Sequence, residues 1–365
     1  MSRDSCDDPI FIIGTERSGS NVLRLILDAH SEIAIPHPPH ILKYFADLEP
    51  YYDDLRVDRN FRKLIRDVLA LVRGHIHPWP HLPAPEFLLA RAERNLFGLT
   101  AAIYEHHLAG VGKRRWGCKS TFMIHHVDRV RARYPRACFI WLVRDPRDVA
   151  LSSRDSVFNP YHPYFVASLW RDQQQIGVDL SQAGNARLLR LHYEHLVRNP
   201  KSAVHELCSF LELQFEPQML NYFTSDAARV ASSLARDWAN LASPLQPDKA
   251  QRFARELDPK DLRVVETIAG PVMKQLDYTL MHPPQSPNSI SMARKLHYWL
   301  ANEARRIVVE YRSLRLNRNH ARRWARALRM QALRARLKLT RRALGKPADP
   351  STLHSSAPQN SRSTS

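Results

Sequence analysis

Residues 9–36 read PIFIIGTERSGSNVLRLILDAHSEIAIP, and this stretch decides the fold. Ile10-Phe11-Ile12-Ile13 is short, apolar and largely β-branched, which predicts a buried parallel strand. The turn GTERSGSN follows at once, and Val22, Leu23, Leu25, Ile26 and Leu27 then give a helix with a broad apolar face. Strand, glycine turn and helix in that order aim backbone N–H groups and a positive helix end at an anion. Gly14 and Gly19 flank four residues, as in a phosphate-binding loop. The residues after Gly19 are Ser20 and Asn21, where a nucleoside triphosphatase has Lys and Ser/Thr. The cation comes earlier, at Arg17. The sequence thus keeps a phosphate cradle but drops the lysine and weakens the case for a magnesium ligand. An ordinary βα turn of small residues would share the glycines, though not this order of features.

A chain of 365 residues with 44% hydrophobic content can hold one large domain or two ordinary ones around a real core. Cys6, Cys118, Cys138 and Cys208 are scattered without CxxC spacing, which argues against a disulfide framework and a structural zinc site. The N-terminus MSRDSCDDP has no apolar core of a signal peptide, and no run of eighteen apolar residues occurs. A cytoplasmic protein is expected. The net charge of +18 is localised: residues 291–346 hold 17 Lys/Arg against 2 acidic residues, and residues 1–290 hold 36 against 33. Such asymmetry marks an interacting appendage rather than the chemistry of the body.

Candidate strands at 10–13, 33–35, 116–119, 138–143 and 187–191 alternate with helical patterns such as 123–134 and 201–211. Alternation of this kind predicts an α/β fold with a central mostly parallel sheet, and with the glycine loop after its first strand the expected three-layer fold is P-loop-like. Residues 60–73 and 87–108 read as helices around the break HIHPWPHLPAP, so 44–112 is expected to be a helical insertion, either a lid or plain packing. HPPQSPNS, at 282–289, has a linker composition. Boundaries are accordingly drawn at 1–282 for the main domain, 283–290 for a linker, 291–345 for a basic amphipathic helical extension and 346–365 for a disordered Pro/Ser-rich tail.

A second segment, PRACFIWLVRDPRDVALSSRDS at 135–156, places Arg144 at the C-terminal end of a buried strand, the edge where open α/β sheets bind ligands. Asp145-Pro146 then opens a helix, and Ser152 lies two turns along it. A guanidinium fork and a hydroxyl from these positions suit a phosphate. Pairing of Arg144 with a nearby carboxylate is the competing expectation.

The two segments together resemble the sulfotransferases that use 3′-phosphoadenosine 5′-phosphosulfate (PAPS), with tyrosylprotein and carbohydrate sulfotransferases as related branches. The stretch LLRLHYEHLVRNPKSAVHELCSFLELQFEPQML resembles the family's next strand and helix, and WGCKST looks like its lysine-bearing strand end. The resemblance covers residues 9–280, with 44–112 unplaced. It implies that Arg17, Ser18, Gly19, Ser20 and Asn21 contact the 5′-phosphosulfate and that Arg144 and Ser152 hold the 3′-phosphate. It also implies that Tyr193 lies near the nucleotide and that Lys119 neutralises charge on the moving sulfuryl group. A sulfuryl group carries one negative charge less than a phosphoryl group, so transfer by positioning and fixed positive charge, without a metal, is expected.

The general base is where the chain departs from the family pattern. Many members read Pro-Glu-Thr-His after the second strand; this chain reads Ile35-Pro36-His37-Pro38-Pro39-His40, with Pro38 at the position of the Glu. His40, at the family's His position, is the first candidate for the base and His37 the second; a rigid turn with solvated histidines is the alternative. An imidazole titrating near ~6.5 suits that task at neutral pH. The acceptor is expected to be a small molecule or glycan presenting a hydroxyl or amine. For residues 291–345 an anionic membrane surface is the first expectation, so that the protein would sit peripherally on it, and nucleic acid the second. Oligomeric state is not legible. A P-loop kinase and a non-catalytic nucleotide-binding adaptor are the competing functions.

Overall fold

The computed structural model describes residues 8–343, apart from 78, 155, 157–159, 284, 317 and 318. The expected tail at 346–365 lies outside the described residues. Contacts divide the chain into two units, residues 1–38 with 104–320 and residues 39–103 with 321–365.

The first unit is built on five parallel strands, β1 (Ile10–Gly14), β2 (Ile33–Ala34), β3 (Arg115–Lys119), β4 (Cys138–Val143) and β5 (Arg187–His192), in the order β2-β3-β1-β4-β5. All five coincide, within a residue or two, with the strands expected from the sequence. β1 is central: Ile12 is in register with Lys119 of β3 on one side and with Ile140 of β4 on the other. Every residue of β1, β3 and β4 is buried, as expected of a sheet covered on both faces.

Alternation along the strands sends two sets of side chains to the two faces. Phe11 stacks on Phe139 and meets Trp116 edge-on, with centroids 5.6 and 5.5 Å apart. This face continues to Trp141, which is covered by the helix Pro163–Ala183. The helix approaches so closely that a Cβ on Gly177 would lie 2.2 Å from the Trp141 ring. The Trp141 indole donates to Gln174 Oε1 at 2.6 Å, and Gln174 in turn donates to Thr15 Oγ1 at 3.0 Å, tying the helix to the end of β1. On the opposite face Arg115 donates to the Leu211 carbonyl at 2.9 Å, fastening the helix Pro200–Leu211. Helix, sheet and helix make the three layers.

The helix Met292–Leu316 groups with this unit. Its Asn302 Oδ1 accepts from the N–H groups of Tyr161 and His162 at 2.9 and 3.0 Å, and Tyr298 stacks on His162 at 4.6 Å. The second unit holds the helices Asp58–Arg73 and Pro85–Arg91, the first half of Leu96–Val111, and His320–Ala343 from residue 321 onward. Phe61, Leu64, Ile65, Val68, Leu69, Leu88 and Leu99 are buried in it. Residues 44–103 of the expected insertion and the end of the basic extension thus fall in one unit, and residues 104–112 with the rest of the extension in the other. The stretch 87–108, expected as one helix, is broken at Ala92–Asn95. Asn95 Oδ1 accepts from Gly98 N at 2.7 Å and so starts a new helix, a cap that outweighs the apolar period. Likewise 123–134 begins as the 3₁₀ turn Thr121–His126 before the α-helix Val127–Arg133.

Candidate active site

β1 ends in a loop that only particular backbone conformations allow. Gly14 has φ +136°, and a Cβ there would lie 2.4 Å from the Leu142 carbonyl oxygen of β4. Gly19 has φ +89° and precedes the helix Ser20–Asp28, whose first turn contains no acidic residue, so its positive end is uncompensated from within the turn. Between the glycines, Arg17 takes the left-handed conformation at φ +69°, costing about 1–3 kcal/mol. Strain of that size persists only where neighbours hold it. Here Arg144 Nη1 donates to the Arg17 carbonyl at 3.0 Å, and the Arg17 side chain is itself clamped.

The clamp brings the two sequence motifs together. Arg17 Nε and Nη2 donate to Ser152 Oγ at 3.2 and 3.1 Å, and Nη1 lies 3.6 Å from the carboxylate of Asp237. Burial lowers the pKa of Arg17, opposed by Asp237 and reinforced by Arg144. Ser18 is fully buried, and its Oγ has no hydrogen-bond partner among the described residues. The Asn21 Oδ1 position is likewise buried and unpartnered among them. Ser20 is buried at the first position of the helix.

Arg144 follows β4 and is also buried. Its Nη1 and Nη2 donate to the carbonyls of Arg17 and Lys249, both at 3.0 Å, and its guanidinium lies 4.3 Å from the Tyr193 ring centre. The nearest carboxylate, Asp148, is 3.9 Å away and accepts instead from the N–H groups of Gln251 and Phe253 at 2.7 and 2.9 Å. The competing expectation of a carboxylate-paired Arg144 therefore meets only a long contact. Its Nε is buried and unpartnered among the described residues. Trp170 Nε1 donates to the Arg144 carbonyl at 2.9 Å, which fixes the backbone at the strand end.

The helix Pro146–Ser153 carries Ser152 and is anchored at its start. Asp145 Oδ1 accepts from Arg147 N at 2.9 Å as the cap, and Arg147 bridges Asp145 and Glu266 at 2.7 Å each. Burial opposes the charge on Arg147, but its two carboxylate partners outweigh that and raise its pKa. Glu194 accepts from Asp145 N and from the Tyr278 hydroxyl, both at 3.0 Å, and burial raises its pKa. Tyr193 presses on the loop: a Cβ at Gly19 would lie 2.4 Å from its ring. Burial pushes its phenol up, opposed by Arg144.

Arg17, Ser18, Gly19, Arg144, Ser152 and Tyr193 thus meet at the C-terminal edge of β1 and β4. Lys119 is buried at the same end of β3, in register with Ile12. His37 is buried in the first unit, its ring centre 5.2 Å from that of Trp238, the residue after Asp237. His40 belongs to the second unit, where it takes φ +57° just before the helix Ile41–Phe45. Asp237, Trp170 and the Lys249 carbonyl were not singled out for these contacts in the sequence. Their segments carry no motif, and only the fold brings them to Arg17 and Arg144.

The profile of the sulfotransferase family matches residues 9–217, more than half of the chain. Protein-tyrosine sulfotransferase A of Caenorhabditis elegans is 20% identical over 282 residues, covering 74% of this chain and 67% of that protein. An uncharacterized protein of Aquifex aeolicus is 24% identical over 229 residues, 59% of this chain; the aligned segment spans only 27% of that protein. Among solved structures, the sulfotransferase domain from the curacin biosynthetic pathway superposes with a TM-score of 0.51 at 21% identity, covering 75% of this chain and 99% of that one, a likeness in fold. Together with the glycine loop at the end of β1, the profile match over residues 9–217 establishes that this chain belongs to the sulfotransferase family.

Proposed function

We propose that the protein moves a sulfuryl group from PAPS to a hydroxyl or amine of a small-molecule or macromolecular acceptor. One observation carries this most: a buried Ser18 hydroxyl, without a hydrogen-bond partner among the described residues, lies in a loop held between the half-buried Arg17 and the buried Arg144. Unpaired polar groups in a protein interior are costly, and a bound anion would satisfy them. The residues present therefore fit the donor. Arg17, Ser18, Gly19, Ser20 and Asn21 would hold its 5′-phosphosulfate, Arg144 and Ser152 its 3′-phosphate, and Tyr193 would pack near the nucleotide.

Bound there, PAPS supplies the sulfuryl group with adenosine 3′,5′-bisphosphate (PAP) as leaving group. The chain's own part is positioning and charge. The N-terminus of the helix Ser20–Asp28 and Arg17 stabilise negative charge on the leaving side. Lys119, at the end of β3, neutralises charge on the sulfuryl oxygens. Fixed cations do this work without a metal ion, which accords with the absent Walker lysine and hydroxyl. A histidine of the loop after β2 takes the acceptor's proton: His40 stands first by sequence position, and the packing of His37 on Trp238, next to the Arg17 partner Asp237, supports His37.

Transfer of radiolabelled sulfate from PAPS to phenolic, sugar and amine acceptors in excess EDTA tests this function. Label should move with the wild type and fail to move with Arg17→Ala. Transfer that requires added magnesium, or transfer of phosphate from ATP, would contradict it.

A further inference from the structure

The helix His320–Ala343 carries nine Lys/Arg and no Asp or Glu. One face packs on the second unit. Met330 and Leu337 are buried, and Arg326 lies over the Tyr44 ring at 4.7 Å and donates to the Pro39 carbonyl. Arg336 pairs with Asp67 at 2.7 Å, and Arg341 donates to the Pro50 carbonyl at 3.1 Å.

The opposite face is the unusual one. At about 3.6 residues per turn, Trp324, Leu328, Ala332, Ala335 and Leu339 fall in one outward stripe. Trp324, Leu328 and Leu339 are 60, 43 and 63% exposed. Arg322 and Arg329 border the stripe on one side and Arg334 and Lys338 on the other, all exposed. A surface helix normally buries its apolar stripe and shows water its polar side. This helix buries one face and leaves a second apolar one outside, so folding of the unit does not account for it.

We propose that this outer stripe docks on an anionic lipid surface. The helix, about 36 Å long, would lie in the plane of the interface. Trp324, Leu328 and Leu339 would enter the boundary between headgroups and chains, and the flanking cations would meet the lipid phosphates. Charge selects this occupant. A second copy of the same helix would set nine cations against nine, and a nucleic acid would use the arginines but leave the tryptophan and leucines in water. The inference goes beyond sulfuryl transfer and is independent of donor binding.

Co-sedimentation of the full-length protein with phosphatidylcholine vesicles, with and without phosphatidylserine, is the test. The wild type should sediment with the anionic vesicles at low salt and be released by high salt. Combined Trp324→Ala, Leu328→Ala and Leu339→Ala should weaken binding at least about tenfold with the circular dichroism spectrum unchanged. Arg334→Gln with Lys338→Gln, which leaves both apolar faces intact, should weaken it by a similar factor. A wild type that stays in the supernatant overturns the proposal, as does a triple variant that binds like wild type. A wild-type dimer that the triple variant converts to monomer would assign the stripe to a second copy and overturn it too.

Discussion

The Arg17 guanidinium donates twice to the Ser152 hydroxyl, joining residues 135 positions apart in the chain. A loop after β1 and a helix after β4 are thereby joined at one edge of the sheet. Ser152→Ala removes the acceptor that orients Arg17. Its expected effect is a loss of PAP affinity of roughly tenfold, as for one charge-assisted hydrogen bond. Calorimetry with unchanged affinity would show that the clamp does not serve the nucleotide.

Arg144 has a larger role, because it holds the Arg17 carbonyl and faces the Tyr193 ring. Arg144→Ala should cost about 10²-fold or more in PAP affinity, given ~1.5–3 kcal/mol for each charged hydrogen bond. Arg144→Lys should recover only part of it, since an ammonium cannot replace a planar fork. Full recovery by lysine would indicate a point-charge role.

Gly19 is under two constraints, a left-handed backbone and the Tyr193 ring. Gly19→Ala should lower stability by about 1–3 kcal/mol in urea denaturation. Adding Tyr193→Ala should relieve the clash but not the backbone cost. If Gly19→Ala is as stable as wild type, the loop can adopt another conformation.

His162 gives a pH dependence with a definite sign. Its Nδ1 accepts from Tyr164 N at 3.2 Å, and its pKa is pushed down to about 4 by burial, with Arg305 and His297 adding to it. Unfolded, a histidine titrates near ~6.5 and binds the proton more readily. The folded state is thus favoured above pH ~6.5, and this contribution is lost as pH falls toward 4. Urea denaturation at a series of pH values should show stability falling over that window in the wild type, and less steeply in His162→Asn.

The sheet was legible chiefly because β1 and β4 are short, fully buried apolar runs, and because the strand candidates alternate with helical patterns. The places of Arg17 through Asn21, Arg144 and Ser152, at a strand end or in the first turns of a helix, were legible because local spacing fixes them. Asp237 and Trp170 were not, because their contacts with Arg17 and Arg144 arise from long-range packing. The break at Ala92–Asn95 was hidden by continuous apolar spacing, and only the Asn95 cap reveals it. The role of Asn302 in binding the chain at Tyr161 and His162 had no local signal either.

Calorimetric titration with PAP, set beside 5′-AMP, tests the central claim most directly and needs no knowledge of the acceptor. A site with separate cradles for the 5′ and 3′ groups should bind PAP and bind 5′-AMP at least about tenfold more weakly, the cost of losing charged contacts at the 3′ position. Equal affinity for the two nucleotides, or no binding of PAP, would contradict the assignment of Arg17, Arg144 and Ser152 to a PAPS site.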